Sequence, residues 1–255
     1  KIFNEGLDKM IDVNNFSVVL LSAGIGRRLG KIGTAKPKCL LEVNKKKLIE
    51  IIIEILQKRN VREISIIVGY KAQMIKDAVK KFSKIKFNFI KINNYKVNGH
   101  ACSWYAFRQI WSKKKLPILL FHTDIFFDPK YLDNIIKSKK TNIIGIHSNK
   151  NIFKEKSILI KTNKHLLIKE INYKNEIKNS IGEVIGINKI SRKTANNLFL
   201  FMKKFLIKKN KRLSWEFMLD NYLKNNNDLF FVLQNQNFFW TNINHEKDYL
   251  LVKNI

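Results

Sequence analysis

Apolar segments of two kinds alternate along the first half of the chain. Residues 18–21 form an uninterrupted run of valine and leucine that ends just before a glycine turn, which is typical of a short buried strand. The same reasoning predicts strands at 63–68, 87–92 and 117–121, and apolar side chains at helical spacing predict helices at 48–57, 73–82 and 104–111. This alternation predicts an α/β fold with a doubly wound, mostly parallel sheet that binds its ligands at the carboxyl ends of the strands.

The pattern changes at about residue 149, where shorter elements follow one another. Two strands with hairpin-like spacing are expected at 157–161 and 165–171, then strands at 182–188, 229–233 and 238–241, helices at 193–207 and 214–223, and a closing helix. No linker rich in Gly, Pro or Ser separates the two halves of the chain. We therefore interpret residues 15–255 as one domain with a small inserted lobe, and residues 1–14 as a tail or a link to an upstream segment.

The turn after the first strand has the composition of an anion-binding loop. Gly24 and Gly26 allow backbone conformations that residues with a Cβ rarely adopt. Backbone N–H groups in such a turn point into one concavity and can hold phosphate oxygens. Arg27, Arg28 and Lys38 add positive charge to the same stretch. The glycine spacing matches neither the Walker loop nor the dinucleotide fingerprint, so we predict a polyphosphate site of another kind.

Residues with candidate chemistry also stand near the ends of other predicted elements. Asp124 follows the strand at 117–121, and a carboxylate at the end of a central strand, opposite a phosphate loop, is where Mg²⁺ is expected. Small residues around Ser103 precede the helix at 104–111. They favour either the close approach of a flat base to the backbone or an ordinary helix cap formed by Ser103, and the sequence leaves both open. Residues 30–36 are expected to form a mobile loop over the phosphates.

The chain carries a large excess of positive charge, with 49 Lys and Arg against 20 Asp and Glu and a net charge of +29. Because the lysines are spread along the chain rather than clustered, we interpret them as solvated surface charge that helps to attract an anionic substrate. We expect neither nucleic acid nor a membrane as partner. Cys39 and Cys102 are too few and too far apart for a disulfide framework, which favours a reducing cytoplasm. No apolar run approaches the ~20 residues of a membrane span.

The glycine turn, together with Pro-Lys-Cys-Leu at 37–40, resembles the signature of the nucleotidyltransferases that activate sugar phosphates and alcohol phosphates. Weaker matches, among them Asn-Asn-Tyr at 93–95, resemble the phosphocholine and aminoethylphosphonate cytidylyltransferases of that superfamily. The resemblance implies a Rossmann-like, GT-A-like fold in which residues 15–148 bind the nucleotide and residues 149–255 bind the acceptor. It implies transfer of CMP from CTP to a phosphate or phosphonate monoester, with Mg²⁺ as cofactor and pyrophosphate as product, for the decoration of surface polysaccharide or lipid.

The resemblance also implies roles for individual residues. Arg28 would stabilise the β- and γ-phosphates and the charge on departing pyrophosphate, and Lys38 would lie between the α-phosphate and the acceptor. Asp124 and Asn244 would hold Mg²⁺. Many relatives have an aspartate where this chain has Asn244, so we expect weaker metal binding here in the absence of nucleotide phosphates. The residues implied to bind the nucleotide are Leu21, Ser22, Ala23, Gly24, Gly26, Arg27, Asn94, Ala101, Ser103 and Thr123.

The acceptor is expected to bind in the second half of the chain. Relatives carry a lysine before the strand at 182–188; Lys174 is our candidate for it, and Lys169 lies near enough to be the alternative. Residues that could form an aromatic and acidic box around an ammonium group are Trp215, Glu216, Tyr222, Phe239 and Trp240. Aromatic residues at such spacings more often belong to the core. Glu216 and Trp240 are retained as acceptor-binding candidates because they match residues that the resembled enzymes keep.

Other functions fit the same residues. One is a sugar-1-phosphate nucleotidyltransferase that uses UTP, dTTP or GTP. Another is a nucleotide-binding regulatory subunit without catalysis, which Asn244 would favour. A basic nucleic-acid-binding protein would depend on net charge alone, with no recognisable module behind it. Two higher-order arrangements stay open, a homodimer and a fusion to another biosynthetic domain.

Overall fold

The computed structural model describes residues 11–96, 99–148, 157–172, 179–208, 213–235, 237–253 and 255. The strands are β1 (Ser17–Ser22), β2 (Glu42–Val43), β3 (Lys46–Lys47), β4 (Glu63–Val68), β5 (Lys86–Lys91), β6 (Ile118–His122), β7 (Ile125–Phe127), β8 (Ile143–His147), β9 (Leu159–Thr162), β10 (Ile168–Asn172), β11 (Gly182–Ile190), β12 (Phe231–Asn235) and β13 (Trp240–Asn242). The α-helices are α1 (Gly30–Ala35), α2 (Leu48–Gln57), α3 (Ala72–Val79), α4 (His100–Ala106), α5 (Arg108–Lys114), α6 (Pro129–Lys137), α7 (Arg192–Lys208), α8 (Trp215–Asn225) and α9 (Glu246–Val252).

Strand pairing places β1 inside a large mixed sheet. β1 pairs in parallel with β4 on one side and with β6 on the other, and β4 pairs in parallel with β5. β11 pairs antiparallel with β6, and β8, β9, β10 and β12 complete the nine-stranded sheet. In this sheet β10 and β11 run in the opposite direction to the other seven strands. The predicted α/β fold with a mostly parallel sheet is therefore confirmed. The strands of the second half continue this sheet.

Apolar side chains fill the core on both faces of the sheet. Val18 and Leu20 of β1 belong to one buried cluster, which includes the apolar side chains of α2. Val19 of β1 belongs to a second cluster, with Trp104 of α4 and Phe199 of α7. Successive side chains of a strand point to opposite faces, so a sheet covered on both sides needs strands that are apolar at every position. This is why the run at the start of the chain is continuous rather than alternating.

β11 bends where it passes the end of β6. Its register against β8 shifts between Val184 and Asn188, and Gly186 between them has a φ of +94°. A Cβ on Gly186 would lie 2.9 Å from the Cβ of His122, so any other residue would be both strained and in collision there. The bulge brings β11 close to the end of β6, where the candidate site lies.

The segment after the glycine turn differs from the prediction. Residues 30–36 were expected to form a mobile loop, but they contain the short helix α1. This helix folds back on the turn, because Gly33 meets Gly26 so closely that a Cβ on Gly33 would lie 2.2 Å from the Gly26 carbonyl oxygen. The prediction was wrong because it depended on local propensity, whereas a contact between two glycines stabilises this helix.

The helix predicted at 104–111 also differs. It begins earlier, and it is divided into α4 and α5. Ser103 therefore lies within α4, and the N-cap residue is Gly99. A Cβ on Gly99 would lie 2.0 Å from the carbonyl oxygen of Leu213, so close backbone packing rather than a serine cap defines the start of the helix.

The beginning of the described chain packs on the domain. Val13, which we predicted to lie in a tail, is fully buried, and its N–H donates to the carbonyl oxygen of Arg59 at 3.0 Å. Residues 1–10 of the predicted tail lie outside the described residues. Within the part of the chain that the structure describes, we find no helix long and apolar enough to span a membrane.

Candidate active site

A cavity of about 560 Å³ opens at the carboxyl ends of β1 and β6. The turn after β1 forms one wall, the residues after β6 form the base, and parts of β11 and α8 face them. The predicted site residues that line this cavity are Leu21, Ser22, Ala23, Gly24, Gly26, Arg27, Arg28, Lys38, Ser103, Thr123, Asp124, Glu216 and Asn244. The fold thus brings together residues that are widely separated in the sequence.

The glycine turn is close-packed on one side and open on the other. Gly26 has a φ of +73°, in the left-handed region that favours glycine, and a Cβ there would lie 2.7 Å from Cγ of Lys38. Apart from Gly24 and its two chain neighbours, no atom of the described residues lies within 4 Å of the position that a Cβ on Gly24 would take. The turn therefore packs against the Lys38 side chain at one glycine and leaves space for a ligand at the other.

Hydroxyl groups join the ends of β1 and β6. Ser22 Oγ donates to Thr123 Oγ1 at 3.0 Å, and Thr123 Oγ1 donates to the carbonyl oxygen of Leu21 at 2.9 Å. Cys39 lies next to these hydroxyls, and burial raises the pKa of its thiol to about 12. The thiol is therefore protonated at neutral pH, which excludes it as a nucleophile and gives it a structural role.

Two cations and two oxygen ligands meet in the cavity. Lys38 Nζ lies 2.9 Å from Asp124 Oδ2 and 2.8 Å from Asn244 Oδ1. Arg28 Nη2 donates to the same Asn244 oxygen at 2.7 Å. The residues predicted as catalytic cations are thus in direct contact with the residues predicted as metal ligands. Charge-assisted hydrogen bonds of this kind are stronger than neutral ones, so they fix all four side chains in one arrangement.

Asp124 is ionised in this arrangement. Burial would raise the pKa of its carboxyl group, but the positive charge of Lys38, with contributions from His122 and from the Lys38 hydrogen bond, outweighs burial and holds the pKa well below its usual range. At neutral pH the side chain therefore offers a full negative charge at the base of the cavity.

β13 and α9 place Asn244 opposite Asp124. β13 pairs with β7, and the N–H of Ile243, just after β13, donates to the carbonyl oxygen of Asp124 at 2.7 Å. Asp248 is buried, and its Oδ2 accepts the N–H groups of Asn244 at 2.9 Å and His245 at 2.8 Å. The first turn of α9 thereby holds the backbone of Asn244, which explains how this half-buried amide keeps a defined position.

The oxygens of Asp124 and Asn244 fit a cation. Both accept the ammonium group of Lys38, so positive charge is favoured between them. Carboxylate and amide oxygens are ligands that Mg²⁺ takes in proteins. Within the described residues, no group of three or more His, Cys, Asp or Glu side chains is arranged to hold a metal. A Mg²⁺ ion bound here would therefore take its remaining ligands from water and from the phosphates of a nucleotide.

Ionisable side chains line the part of the cavity near α8, where Glu216 is buried, His122 is half-buried and His100 is exposed. His122 Nε2 lies 3.7 Å from Glu216 Oε1, and the rings of His100 and His122 meet edge to face with centroids 5.6 Å apart. Desolvation in the cavity, and then the neighbouring His122, lower the pKa of His100. Glu183 of β11 is also buried and lines the same cavity. This region can therefore offer both negative charge and hydrogen bonds to a ligand.

Several lining residues were missed by the sequence analysis. A signal existed for His122, which lies two positions before Asp124 at the end of the same strand. Another existed for Glu183, which lies in the predicted strand at 182–188. Tyr95 lines the cavity beside the predicted Asn94. No sequence signal marked His100, because it reaches the cavity only through the early start of α4.

Of the predicted site residues that the structure describes, three do not line the cavity. Asn94 is exposed at the surface next to Tyr95, and Ala101 is fully buried within α4. Trp240 is buried in the core, where its Nε1 donates to the carbonyl oxygen of Ile185 at 3.2 Å and its ring packs against His147. The side chains of Ala101 and Trp240 thus support the walls of the site from behind.

The predicted aromatic box is not assembled around the cavity. Trp215 and Tyr222 are fully buried core residues, and Phe239 packs on Phe126 at the surface. Glu216 is the member of that group that lines the cavity. Of the two candidate lysines, Lys174 lies outside the described residues, and Lys169 is exposed on β10, away from the cavity lining.

Comparison with known families agrees with this geometry. Residues 17–152 match the family model described as nucleotidyl transferase. The matched span includes the glycine turn, Lys38 and Asp124, and it is more than half of the chain. The chain therefore belongs to the nucleotidyl transferase family.

Three curated proteins are similar in sequence. The chain is 33% identical over 66 residues to CTP:phosphoglutamine cytidylyltransferase of Campylobacter jejuni. The aligned residues cover 26% of this chain and 26% of that protein. It is 46% identical over 52 residues to choline-phosphate cytidylyltransferase of Streptococcus pneumoniae, 20% and 23% of the two chains. It is 30% identical over 189 residues to the bifunctional sugar-1-phosphate nucleotidylyltransferase/acetyltransferase of Sulfurisphaera tokodaii. This alignment covers 74% of this chain and 43% of that protein. The matches thus span less than half the length of each relative.

A solved structure shares the fold over nearly the whole chain. The CTP:phosphocholine cytidylyltransferase from Streptococcus pneumoniae superposes with a TM-score of 0.74 at 19% identity, covering 93% of this chain and 97% of that one. At this identity the likeness shows a common fold, which is a Rossmann-like α/β architecture.

Proposed function

We propose that this chain is a Mg²⁺-dependent enzyme that moves CMP from CTP to a small phosphate or phosphonate monoester and releases pyrophosphate. The observation that carries the proposal is the contact of Lys38 and Arg28 with Asp124 and Asn244, directly beside an open glycine turn. The two cytidylyltransferases among the relatives support CTP as the nucleotide. The acceptor would be phosphocholine-like or aminoethylphosphonate-like, and its product would serve the decoration of surface polysaccharide or lipid from the cytoplasm.

The proposed reaction is an in-line displacement at phosphorus. An oxygen of the acceptor phosphate forms a bond to the α-phosphorus, the bond from that phosphorus to the β-phosphate oxygen breaks, and its electron pair leaves with pyrophosphate. Such transfers depend mainly on positioning and on neutralisation of charge. The side chains present supply both, since cations of the protein lie beside the turn that would hold the phosphates.

Each side chain has a separate task in this proposal. Arg28 binds the β- and γ-phosphates and stabilises the charge that develops on pyrophosphate. Lys38 exchanges its carboxylate partner for phosphate oxygens and lies between the α-phosphate and the acceptor, where it reduces repulsion between two anions. Asp124 and Asn244 would hold Mg²⁺, which would neutralise negative charge on the phosphates. The backbone of the glycine turn binds the remaining phosphate oxygens.

The acceptor would extend toward Glu216. This carboxyl group is buried and adjacent to His122, so it offers a negative partner for an ammonium group of the acceptor. Recognition would then depend on ion pairing and hydrogen bonding, because the aromatic residues of the predicted cation–π box do not line the cavity.

A second candidate is a sugar-1-phosphate nucleotidyltransferase. The relative from Sulfurisphaera tokodaii, which matches over 74% of this chain, favours it. The polar residues Glu183 and His122 in the cavity wall also suit the hydroxyl groups of a sugar. The two candidates differ in the nucleotide and in the acceptor but share the phosphate machinery.

Pyrophosphate release decides between them. The protein is assayed with CTP, UTP, dTTP, ATP and GTP against phosphocholine, phosphoethanolamine, 2-aminoethylphosphonate and glucose 1-phosphate, with an Arg28→Ala protein purified in parallel as control. We expect CTP with an amine-bearing acceptor to give the highest kcat/KM. Preference for another nucleotide with glucose 1-phosphate would support the second candidate. Absence of turnover with every pair, when CTP binds, would favour a regulatory subunit.

A further inference from the structure

Two residues that follow β4 hold the end of helix α1. Tyr70 Oη donates to the carbonyl oxygen of Thr34 at 2.6 Å. Lys71 Nζ donates to the carbonyl oxygens of Thr34 at 3.1 Å and Ala35 at 2.6 Å. The last carbonyl groups of a helix have no partner within the helix, and a cation is favourable there. Tyr70 and Lys71 thus satisfy the carboxyl end of α1 from outside.

The same residues contact the start of the glycine turn. The N–H of Tyr70 donates to the carbonyl oxygen of Ala23 at 3.1 Å. Gly69 is so close that a Cβ on it would lie 2.7 Å from that same oxygen. The segment from Ala23 to Ala35 is therefore attached at both of its ends to one short stretch after β4. Arg27 and Arg28 lie between the two attachments.

α1 depends on these contacts for its position. It is a six-residue helix with glycine at two of its positions, and helices this short are unstable on their own. Its packing on Gly26 is a contact between glycines, and its apolar contact with the core comes from the half-buried Ile32. Lys71 adopts a φ of +44°, which is uncommon for a residue with a side chain, and this conformation begins α3. The uncommon backbone conformation of Lys71 thus lies at the point from which the side chains of Tyr70 and Lys71 reach α1.

We propose that Tyr70 and Lys71 are positioning residues that hold α1 against the glycine turn, so that Arg28 is in place before the nucleotide binds. The three hydrogen bonds to α1 are exposed to solvent, so they can open and re-form as ligands enter and leave. Loss of these bonds would leave the bound state unchanged but would require the nucleotide to order the segment on binding. Nucleotide affinity should then fall while kcat is retained.

Hydrogen exchange of the ligand-free protein tests the attachment itself. The variants are Tyr70→Phe, Lys71→Met and the double variant, and the control is Lys76→Met. Lys76 lies on α3, and its Nζ is 5.4 Å from the centroid of an aromatic ring, the same distance as between Lys71 Nζ and the ring centroid of Tyr70. Unlike Lys71, Lys76 has no described hydrogen bond to α1. We expect the amides of residues 30–36 to exchange about 5- to 30-fold faster in the double variant, because it loses exposed hydrogen bonds that stabilise α1. In the control, exchange should stay within about twofold of wild type. Unchanged exchange in the double variant would overturn the proposal.

Nucleotide binding tests the consequence, and this part of the experiment rests on the proposed function. We expect the double variant to bind CTP about 5- to 20-fold more weakly by calorimetry and to show a matching rise in KM with kcat within about twofold. A merely structural role would lower the melting temperature and leave KM unchanged; that result, with faster exchange, would refute positioning. If wild-type protein binds no CTP, the proposed function fails, whereas the exchange experiment still decides whether the attachment exists.

Discussion

The ammonium nitrogen of Lys38 lies 2.9 Å from a carboxylate oxygen of Asp124, although 86 positions separate the two residues in the chain. One is the proposed phosphate-binding cation and the other is a proposed metal ligand, and here they neutralise each other. Binding of a nucleotide with its metal must replace this ion pair with new contacts for both partners. The two ligands are therefore expected to assist each other, and linkage makes that assistance reciprocal.

Removal of the Asp124 charge should uncouple the nucleotide from the metal. We expect Asp124→Asn to lower turnover by at least two orders of magnitude, because the carboxylate that is proposed to hold the metal and that contacts Lys38 is then lost. Wild-type protein should bind CTP more tightly as Mg²⁺ is added, and the variant should not. The measurement is a Mg²⁺ titration of CTP affinity by calorimetry. Coincident curves for the two proteins would contradict the catalytic interpretation.

Asp128→Asn is the matched control for this change. Asp128 lies four positions further along the chain, and its Oδ1 accepts the N–H of Lys130 as the N-cap of α6. Asparagine caps helices as well as aspartate does, so fold and turnover should stay within about twofold of wild type.

Arg28→Ala tests the cation of the glycine turn. The change removes the bond to Asn244 Oδ1 and the charge proposed to stabilise departing pyrophosphate. We expect kcat/KM to fall by about two to four orders of magnitude, since a transition-state charge loses its partner. Because Arg28 is exposed, circular dichroism and the melting temperature should change little. Arg62→Ala, which removes an exposed arginine remote from the cavity, should leave kcat/KM unaltered.

Asn244→Asp tests the departure from the commoner metal site. The amide oxygen accepts from both Lys38 and Arg28, so an added negative charge would lie between two cations and beside Asp124. We expect Mg²⁺ to bind about 10-fold more tightly in the absence of nucleotide, because a carboxylate is a better ligand for a hard cation than an amide. Calorimetric titration with Mg²⁺ alone measures this. Unchanged affinity would show that Asn244 does not contact the metal.

The parts of the site that follow directly on a predicted strand could be located from the sequence. The turn at Gly24 and Gly26 and the carboxylate of Asp124 each come within a few residues of a buried strand, and parallel strands end at the same edge. What could not be derived is which side chains meet there. The contacts of Lys38 with Asp124 and of Arg28 with Asn244 depend on pairings between remote segments.

Local patterns failed where tertiary packing decided the outcome. The glycines of residues 30–36 predicted a loop, but a close contact with Gly26 and bonds from Tyr70 and Lys71 stabilise a helix. Aromatic residues of the second half were candidates for a binding box, although residues at such spacings more often belong to the core, and burial of Trp240 places it in the core. Composition and spacing carry no information on which face of a helix or strand meets the cavity.

Glu63 should make stability depend on pH. The hydrogen bond from Lys114 at 2.6 Å is the main cause that lowers the pKa of this carboxyl group, burial opposes it, and Asn88 adds a bond at 2.8 Å. A carboxyl whose pKa is lower in the folded state stabilises the fold above its unfolded pKa of ~4.3, and this contribution is lost as pH falls through the folded value. We expect Glu63→Gln to cost about 0.5–1.5 kcal/mol at pH 7 and progressively less below pH ~4.

Urea unfolding at pH 7, 5 and 3.5 measures this difference. Glu42→Gln is the control, because Glu42 is about half exposed and its ion pair with Lys36 is 3.8 Å long. Its effect should be smaller than that of Glu63→Gln at pH 7. A cost for Glu63→Gln that is equal at all three pH values would show that the charge of Glu63 does not contribute.

Substitutions of Glu216 and Trp240 should have different effects, the first on acceptor binding and the second on the stability of the core. Glu216 lines the cavity, whereas Trp240 is buried behind it with its indole N–H bonded to Ile185. We expect Glu216→Gln to raise the KM for an amine-bearing acceptor about 10-fold or more, with little change for an acceptor without the amine, since an ion pair becomes a neutral contact. Trp240→Phe should instead lower stability by about 1–3 kcal/mol through lost packing and an unpaired carbonyl, with an unchanged KM at temperatures where it is folded. Steady-state kinetics with paired acceptors and thermal unfolding of both variants give the two readouts. A higher acceptor KM in Trp240→Phe, with stability retained, would show that Trp240 contacts the acceptor after all.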